Sequence, residues 1–391
     1  MKGLKDIRNV SVLGSTGSIG RNSLEIISHF KGQFKVVGLS AGKNKKLLYQ
    51  QIKEFKPEIV SLRDKMDADE LKAQRLDYPI EIKYGQEGAE LVAGYEKNDI
   101  IISAITGING LIPTMAAIKS GKRVGLANKE SMVAAGALIN REASKSGAEI
   151  IPVDSEHSGV FQCLSKENKH EVKKVILTAS GGPFFRLSKK DIQNQSVEKA
   201  LNHPRWQMGK KITIDSATMM NKGLELIEAR WLFDLPPAKL GVLIHPQSIV
   251  HSMVEMRDGS VLAQLSPTDM KIPIQFALTF PHREESVLSS LDLSQVSSLD
   301  FYEVDLEKFP LIRLATKALE EKHSFSVALN ASNEAAVHAF LKKEISFSDI
   351  WELVIEVTEE TNKKDIKTIE DIFKIDQETR ERTWSKIRQR Y

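Results

Sequence analysis

The stretch IPVDSEHSG, Ile151 to Gly159, sets Asp154, Ser155, Glu156 and His157 directly behind an apolar run. Two carboxylates, a hydroxyl and an imidazole at that place admit a solvated turn, a nucleophile triad or a metal site. Read as the end of a strand, the stretch projects Asp154 and Glu156 to one side, because side chains alternate with period two. Carboxylates held that close need a cation, a shared proton or bulk water. The triad fares worst. There is no G-x-S-x-G elbow, and the same alternation turns Ser155 and His157 away from the Asp154 face.

A second segment offers a partner. DSATMMNKGLELIEA carries Ser216, Asn221 and Lys222, then Glu225 in the first turns of an expected helix. Three carboxylate oxygens from two segments suit Mg²⁺ or Mn²⁺ and leave room for water and substrate. Zinc is less apt, since thiolates and a His-x-x-x-His spacing are missing. In TASGGPF, Ser180 and the N–H groups of Gly181 and Gly182 suit an anion nest. Ser216, Asn221 and Lys222 add a hydroxyl, an amide and an ammonium, so the set reads as a phosphate pocket for a small substrate. NHPRWQMG carries His203, Trp206, Met208 and Gly209 in a polar, Pro- and Gly-marked stretch, which suits a lid that expels water. Each piece alone is equally a turn, a helix cap or a loop anchor.

The elements that position these residues begin with a βαβα rhythm. NVSVLG, FKVVGLSAG, PEIVSL, NDIIISAITG, RVGLANK and AEIIPVD read as strands, with helical segments such as GRNSLEIISHF and NKKLLYQQIKEF between them. This predicts an α/β fold, an open and mostly parallel sheet covered on both faces. The first strand-to-helix turn, VLGSTGSIG, has Gly14, Gly17 and Gly20. Such a turn lets backbone N–H groups and a helix N-terminus hold a dinucleotide phosphate. The second strand ends GLSAGKNKK without an acid for a ribose hydroxyl. It offers Ser40, Lys43, Asn44, Lys45 and Lys46, which favours the 2′-phosphate of NADP(H). Asn128, Lys129 and Glu130 of ANKES end a later strand and are placed to meet the nicotinamide half; the bland alternative is that they start a helix.

Beyond about residue 154 the texture changes to α+β, with strand-like segments around the turn RDG. Pro281 to about Lys308 reads as a connection, and the remainder as a C-terminal helical bundle. There, Leu311, Leu314, Ala315, Ala318 and Leu319 form one stripe, and Ser332, Ser348 and Thr368 are available as N-caps. The expected division is 1–150 NADPH-binding, 151–280 catalytic, 281–308 linker and 309–391 helical. A length of 391 residues agrees with several domains. The formal charge of +3 implies no nucleic acid or other bulk polyanion as partner. One cysteine, Cys163, excludes an intrachain disulfide and a thiolate cluster. With no signal peptide or bilayer-spanning run in view, a cytoplasmic enzyme or binding protein is expected.

GSTGSIG, AGKN, ANKES, VDSEHS, SGGPF, HPRWQMGKKITIDSATMMNKGLELIEA and HPQSIVHSMVEMRDGSVLAQLS together resemble the 1-deoxy-D-xylulose 5-phosphate reductoisomerase family, in order through nearly the whole chain. The resemblance implies an NADPH-dependent enzyme of the methylerythritol phosphate route to isoprenoids. Its substrate is a small phosphosugar, rearranged to an aldehyde and then reduced to 2-C-methyl-D-erythritol 4-phosphate. It implies a Rossmann-like domain, a homodimer and Mg²⁺ or Mn²⁺, with Co²⁺ as a further option. By the same resemblance the metal ligands are Asp154, Glu156 and Glu225. The catalytic residues are Asp154, Glu156, Glu225, Lys129 and His203, and the substrate residues are Lys129, Ser155, Glu156, Ser180, His203, Ser216, Asn221, Lys222 and Glu225, with Trp206 and Met208 in a mobile flap. The cofactor residues are Thr16, Gly17, Ser18, Ile19, Gly42, Lys43, Asn44, Asn128, Glu130 and Gly209. His157 is left as structural. A plain NADP dehydrogenase and a non-catalytic NADP sensor are the competing readings.

Overall fold

A computed structural model describes residues 7–74, 76–164 and 169–390. They form two compact units, and the chain crosses between them several times. The first unit takes the described residues up to Ser131, then Ile139–Ser158 and Asp269–Ser290; the second takes Met132–Leu138, Gly159–Thr268 and the chain from Leu291.

The first unit holds a seven-stranded sheet. Its strands are β1 (Arg8–Leu13), β2 (Phe34–Ala41), β3 (Ile59–Leu62), β4 (Glu81–Tyr84), β5 (Ile100–Ser103), β6 (Arg123–Leu126) and β7 (Glu149–Pro152). The order is β4-β3-β2-β1-β5-β6-β7, and every pair is parallel. The central strands are apolar along their length because both faces are covered: all four residues of β5, Ile-Ile-Ile-Ser, are buried. The direction of winding reverses at β1, between β2 and β5. A crevice at the carboxyl ends of strands opens at such a reversal, and ligands bind there. The expected doubly wound sheet is therefore present.

Gly14 and Gly20 make the first turn possible. Gly14 has φ +82°, and a Cβ there would lie 2.6 Å from the Ala104 carbonyl oxygen at the end of β5. A Cβ on Gly20 would lie 2.4 Å from the Gly14 carbonyl oxygen. The turn thus lies flat on its neighbours, and the Ser18–His29 helix begins with no side-chain cap on its first N–H groups.

The metal-candidate stretch departs from expectation. β7 ends at Pro152, and Ser155–Leu164 is a helix. The Asp154 carbonyl accepts the first helical hydrogen bond, from Ser158 N–H at 2.8 Å. Period-two alternation therefore does not apply to Asp154, Ser155, Glu156 and His157. Acids just before and inside a first helical turn meet the positive end of the helix dipole, and that preference overrides the strand pattern.

The second unit contains β8 (Val172–Ala179), β9 (Leu240–Ile244), β10 (Val250–Met256) and β11 (Val261–Leu265) in the order β11-β10-β8-β9. β8 and β9 are parallel and the other two pairs antiparallel. The RDG turn closes the β10–β11 hairpin, with Met256 N–H bonded to Ser260 O at 2.8 Å. Helices complete the unit, and the expected stripe of Leu311, Leu314, Ala315, Ala318 and Leu319 is buried.

Two caps differ from expectation. Ser332 lies inside the His323–Leu341 helix and donates to Ala328 O at 2.8 Å. That helix starts earlier because HSFSVALNA is small and apolar enough to be buried almost all round. The Phe347–Glu359 helix is capped by Ser346 in a capping box with Asp349, not by Ser348. Thr368 does cap its helix, accepting from Asp371 N–H at 3.2 Å.

Gly20→Ala is expected to destabilise the protein by about 1–3 kcal/mol, the usual cost of overpacking. Urea unfolding measures it, and wild-type stability would refute the close-approach account.

Candidate active site

In the first unit the site begins at the glycine turn. Thr16 and Ile19 are half-buried, and Gly17 and Ser18 are exposed, so this edge faces outward. Ser15 and Gln51 brace it from behind: Ser15 Oγ donates to Gln51 Oε1 at 2.8 Å, and Gln51 Nε2 donates to Ser15 O at 2.9 Å. Gly42, Lys43 and Asn44 are exposed beyond β2. The Asn44 side chain caps the Lys45–Phe55 helix, accepting from Leu47 N–H at 3.1 Å. Lys43, Lys45 and Lys46 are all exposed, and Lys45 is engaged with Asp67 and Glu70.

Asn128, Lys129 and Glu130 open the Lys129–Ser146 helix, and all three are buried. Asn128 caps it, accepting from Ser131 N–H at 2.9 Å, while its amide donates to Ile105 O at 2.6 Å and Gly107 O at 3.0 Å. One side chain thus ties the loop after β5 to the helix start after β6. Lys129 follows, with Nζ 2.6 Å from Asp154 Oδ2. Ser155 Oγ donates to Glu156 Oε2 at 2.7 Å. His157 is fully buried.

In the second unit Ser180 ends β8. Gly181 and Gly182 have φ +81° and +65°, and a Cβ on Gly182 would lie 2.5 Å from Ser216 O. Gly182 lets the β8 turn touch the Lys210–Ala217 helix, while Gly181 packs against Phe185 and Ile244. His203 Nε2 lies 2.9 Å from Ser180 Oγ and 3.1 Å from Ser216 Oγ. His203 Nδ1 accepts from Arg205 N–H at 3.1 Å and Trp206 N–H at 2.9 Å. That arrangement puts the ring proton on Nε2, where it can be donated to a serine or a ligand oxygen. Burial drives the His203 pKa down to about 4.

Met219, buried with φ +61°, turns the chain into the Met220–Phe233 helix. That left-handed turn brings Asn221 and Lys222 onto the helix's first turn, and both side chains donate to Glu225. Lys222 is 4% and Glu225 0% exposed in their side chains. The structure therefore links Ser180, His203 and Ser216 by hydrogen bonds, and Asn221, Lys222 and Glu225 likewise. The loop at 201–209 has no regular structure and carries Trp206 and Met208, both half-buried.

A family model described as 1-deoxy-D-xylulose 5-phosphate reductoisomerase matches residues 10–136, and models of the C-terminal domains match 150–233 and 265–382. The chain belongs to this reductoisomerase family. A curated relative of the same description from Chlorobium phaeobacteroides is 51% identical, covering 88% of this chain and 90% of its own. One from Caldanaerobacter subterraneus is 50% identical, covering 97% and 99%. Among solved structures, a reductoisomerase from Zymomonas mobilis in complex with NADPH superposes with a TM-score of 0.92 at 40% identity, over 98% of this chain and 99% of its own. Another, in complex with NADPH, fosmidomycin and magnesium, gives 0.91 at 40% identity over 98% of each chain. By membership this chain is an NADPH-dependent, divalent-metal reductoisomerase of isoprenoid precursor synthesis.

Reading the sequence of this reductoisomerase did not single out His251. It is buried in β10, and burial first, then Lys222's charge among others, lowers its pKa to about 4. Trp206 of the loop meets its ring edge-on, with centroids 6.5 Å apart. The signal was present in HPQSIVHSM, a strand with a histidine among apolar neighbours. Glu228, one turn beyond Glu225 and 1% exposed, was also passed over.

The His203 shift has a fixed sign. A histidine whose folded pKa lies below its ordinary 6.5 contributes stability above 6.5 and loses it as pH falls toward about 4, because the unfolded chain protonates first. His203→Gln is expected to narrow the stability difference between pH 7 and pH 5, measured by urea unfolding. An unchanged difference would sink the assignment.

Proposed function

We propose that Asp154, Glu156 and Glu225 hold the divalent cation and that Ser180, Ser216, Asn221 and Lys222 hold the phosphate of 1-deoxy-D-xylulose 5-phosphate. The observation that carries this is that Asp154 and Glu225 are largely withdrawn from solvent and that each is matched to a buried lysine, Lys129 and Lys222. A carboxylate in that position demands positive charge, and an all-oxygen donor set answers a hard cation such as Mg²⁺ or Mn²⁺, with Co²⁺ a workable substitute. When bound, the cation supplies Lewis acidity at the substrate oxygens, and NADPH supplies the hydride.

The chain's own residues do the rest. Lys129 balances the Asp154 charge and faces the substrate. Ser155 and Glu156 border the reacting carbons, where Glu156 is the candidate proton handler. Lys222, Asn221, Ser180 and Ser216 offer an ammonium, an amide and two hydroxyls to phosphate oxygens, and His203 adds its Nε2–H. Trp206 and Met208 close over the substrate and exclude water. Thr16, Gly17, Ser18 and Ile19 receive the NADPH pyrophosphate, and Gly42, Lys43 and Asn44 its 2′-phosphate. Asn128, Glu130 and Gly209 border the nicotinamide half. Functionally the chain divides at about 150, 280 and 308.

The protein acts as a homodimer in the cytoplasm. β11 is an edge strand of its sheet with Val261 54% exposed, and an open apolar edge invites pairing with a second copy. Among the described residues no helix is long and apolar enough to cross a membrane. Light scattering should give twice the monomer mass, and Val261→Lys should shift it toward the monomer; a monomeric wild type would end this reading.

The residue roles are tested by following NADPH oxidation with the phosphosugar and Mg²⁺. A chelator should abolish turnover. Asp154→Asn and Glu225→Gln should each lower kcat by at least about 100-fold and weaken Mg²⁺ activation. Ser216→Ala should raise the substrate KM and spare the KM for NADPH. Full activity in the carboxylate variants would refute the ligand assignment.

A further inference from the structure

The Lys210–Ala217 helix departs from local helix rules in three ways. Its first turn carries Lys210 and Lys211 and no acid, the unfavourable sign at a helix N-terminus. Lys211 precedes Asp215 by four residues, the weaker order for an ion pair on a helix. Asp215 itself is 1% exposed, where a carboxylate destabilises unless fully partnered. Local conflicts gathered in a segment that also carries site residues point to function.

Asp215 is in fact held on both oxygens. Lys211 Nζ lies 2.8 Å from Oδ2. Asn333 Nδ2 donates to Oδ1 at 2.8 Å. Asn333 is fully buried in the His323–Leu341 helix, and its Oδ1 has no hydrogen-bond partner among the described residues. The amide is thus aimed at Asp215 at the cost of an unsatisfied acceptor. Ser216, the next residue, lies within hydrogen-bond reach of His203, as Ser180 does. Gly209, the N-cap of the same helix, ends the loop that carries Trp206 and Met208. One buried carboxylate therefore stands between a rigid helix, a phosphate-pocket serine and the base of the flap.

We propose that Asp215 is a positioning residue for the phosphate pocket. Through Asn333 it fixes the helix that presents Ser216, and through Lys211 it anchors the C-terminal base of the flap. This rests on the phosphate-pocket reading given above.

The test uses the full-length enzyme, with inorganic phosphate as the probe of the pocket. Lys211→Met and Asp215→Asn should each raise the substrate KM and weaken competitive inhibition by phosphate about tenfold, with the KM for NADPH within about twofold of wild type. Adding Lys211→Met to Asp215→Asn should cost nothing further, because both remove the same link. A further loss in the double variant would mean that Lys211 acts on its own and would overturn the proposal. Ser216→Ala separates the two readings. If it leaves the KM unchanged, the pocket assignment fails. If it raises the KM while the folded Asp215 and Lys211 variants behave as wild type, the positioning role fails. Should Asp215→Asn not fold, Lys211→Met decides alone, since its side chain is 28% exposed, and an unchanged KM refutes the proposal.

Discussion

A carboxylate withdrawn from water must be answered by positive charge, and the site's architecture follows from that demand. Lys129 answers Asp154, Lys222 and Asn221 answer Glu225, and Lys211 and Asn333 answer Asp215. Removing one partner from such a pair costs far more than the pair contributes, because a buried charge is left exposed to low dielectric. The helix starts at Asn128, Asp154 and Met219 are where the chain meets the demand. Each brings a cation or a carboxylate onto a first turn, where the backbone N–H groups have no helical partner and side-chain polarity is easiest to place.

Close backbone approach is the second condition. Gly14 against Ala104, and Gly182 against Ser216, are contacts that no side chain would permit. The first flattens the β1-to-helix turn against the end of β5. The second places Ser180 beside the helix that carries Ser216, so that one imidazole reaches both hydroxyls. Met219 does the same work without being a glycine, accepting a left-handed backbone that side chains rarely adopt. Its buried thioether side chain is held on all sides, which is how the surroundings can impose that conformation.

Much of this was legible in the residues. Apolar runs ending in small residues read correctly as parallel strands, because strands buried on both faces leave a continuous signal. β4 was not seen: EIKY is short, half-exposed and lies on the sheet edge, so burial never wrote a pattern into it. The Ser332 cap failed for the opposite reason, since a helix buried all round has no polar face to mark where it begins. In the site, residue types singled out Ser180, His203 and Ser216, and Asn221, Lys222 and Glu225, which form two hydrogen-bonded groups. The turn from β7 into a helix was missed because Asp154, Ser155 and Glu156 satisfy a strand's alternation as well as a helix's start. Asp215 and Asn333 were illegible, since each is defined by the other, 118 residues away in the chain.

The same geometry limits what His203 can do. Its Nδ1 is occupied by the N–H groups of Arg205 and Trp206, and its Nε2 carries the proton. With both nitrogens engaged, the ring presents an N–H and no open lone pair, and burial lowers its pKa to about 4. Because the nitrogen opposite the donor is bonded to the backbone of Arg205 and Trp206, the ring's orientation is tied to the position of the 201–209 loop. A ligand oxygen that accepts from Nε2 favours the ring orientation in which Nδ1 holds those two N–H groups. One imidazole thus joins Ser180 and Ser216 on its Nε2 side to the backbone of residues 205 and 206 on its Nδ1 side.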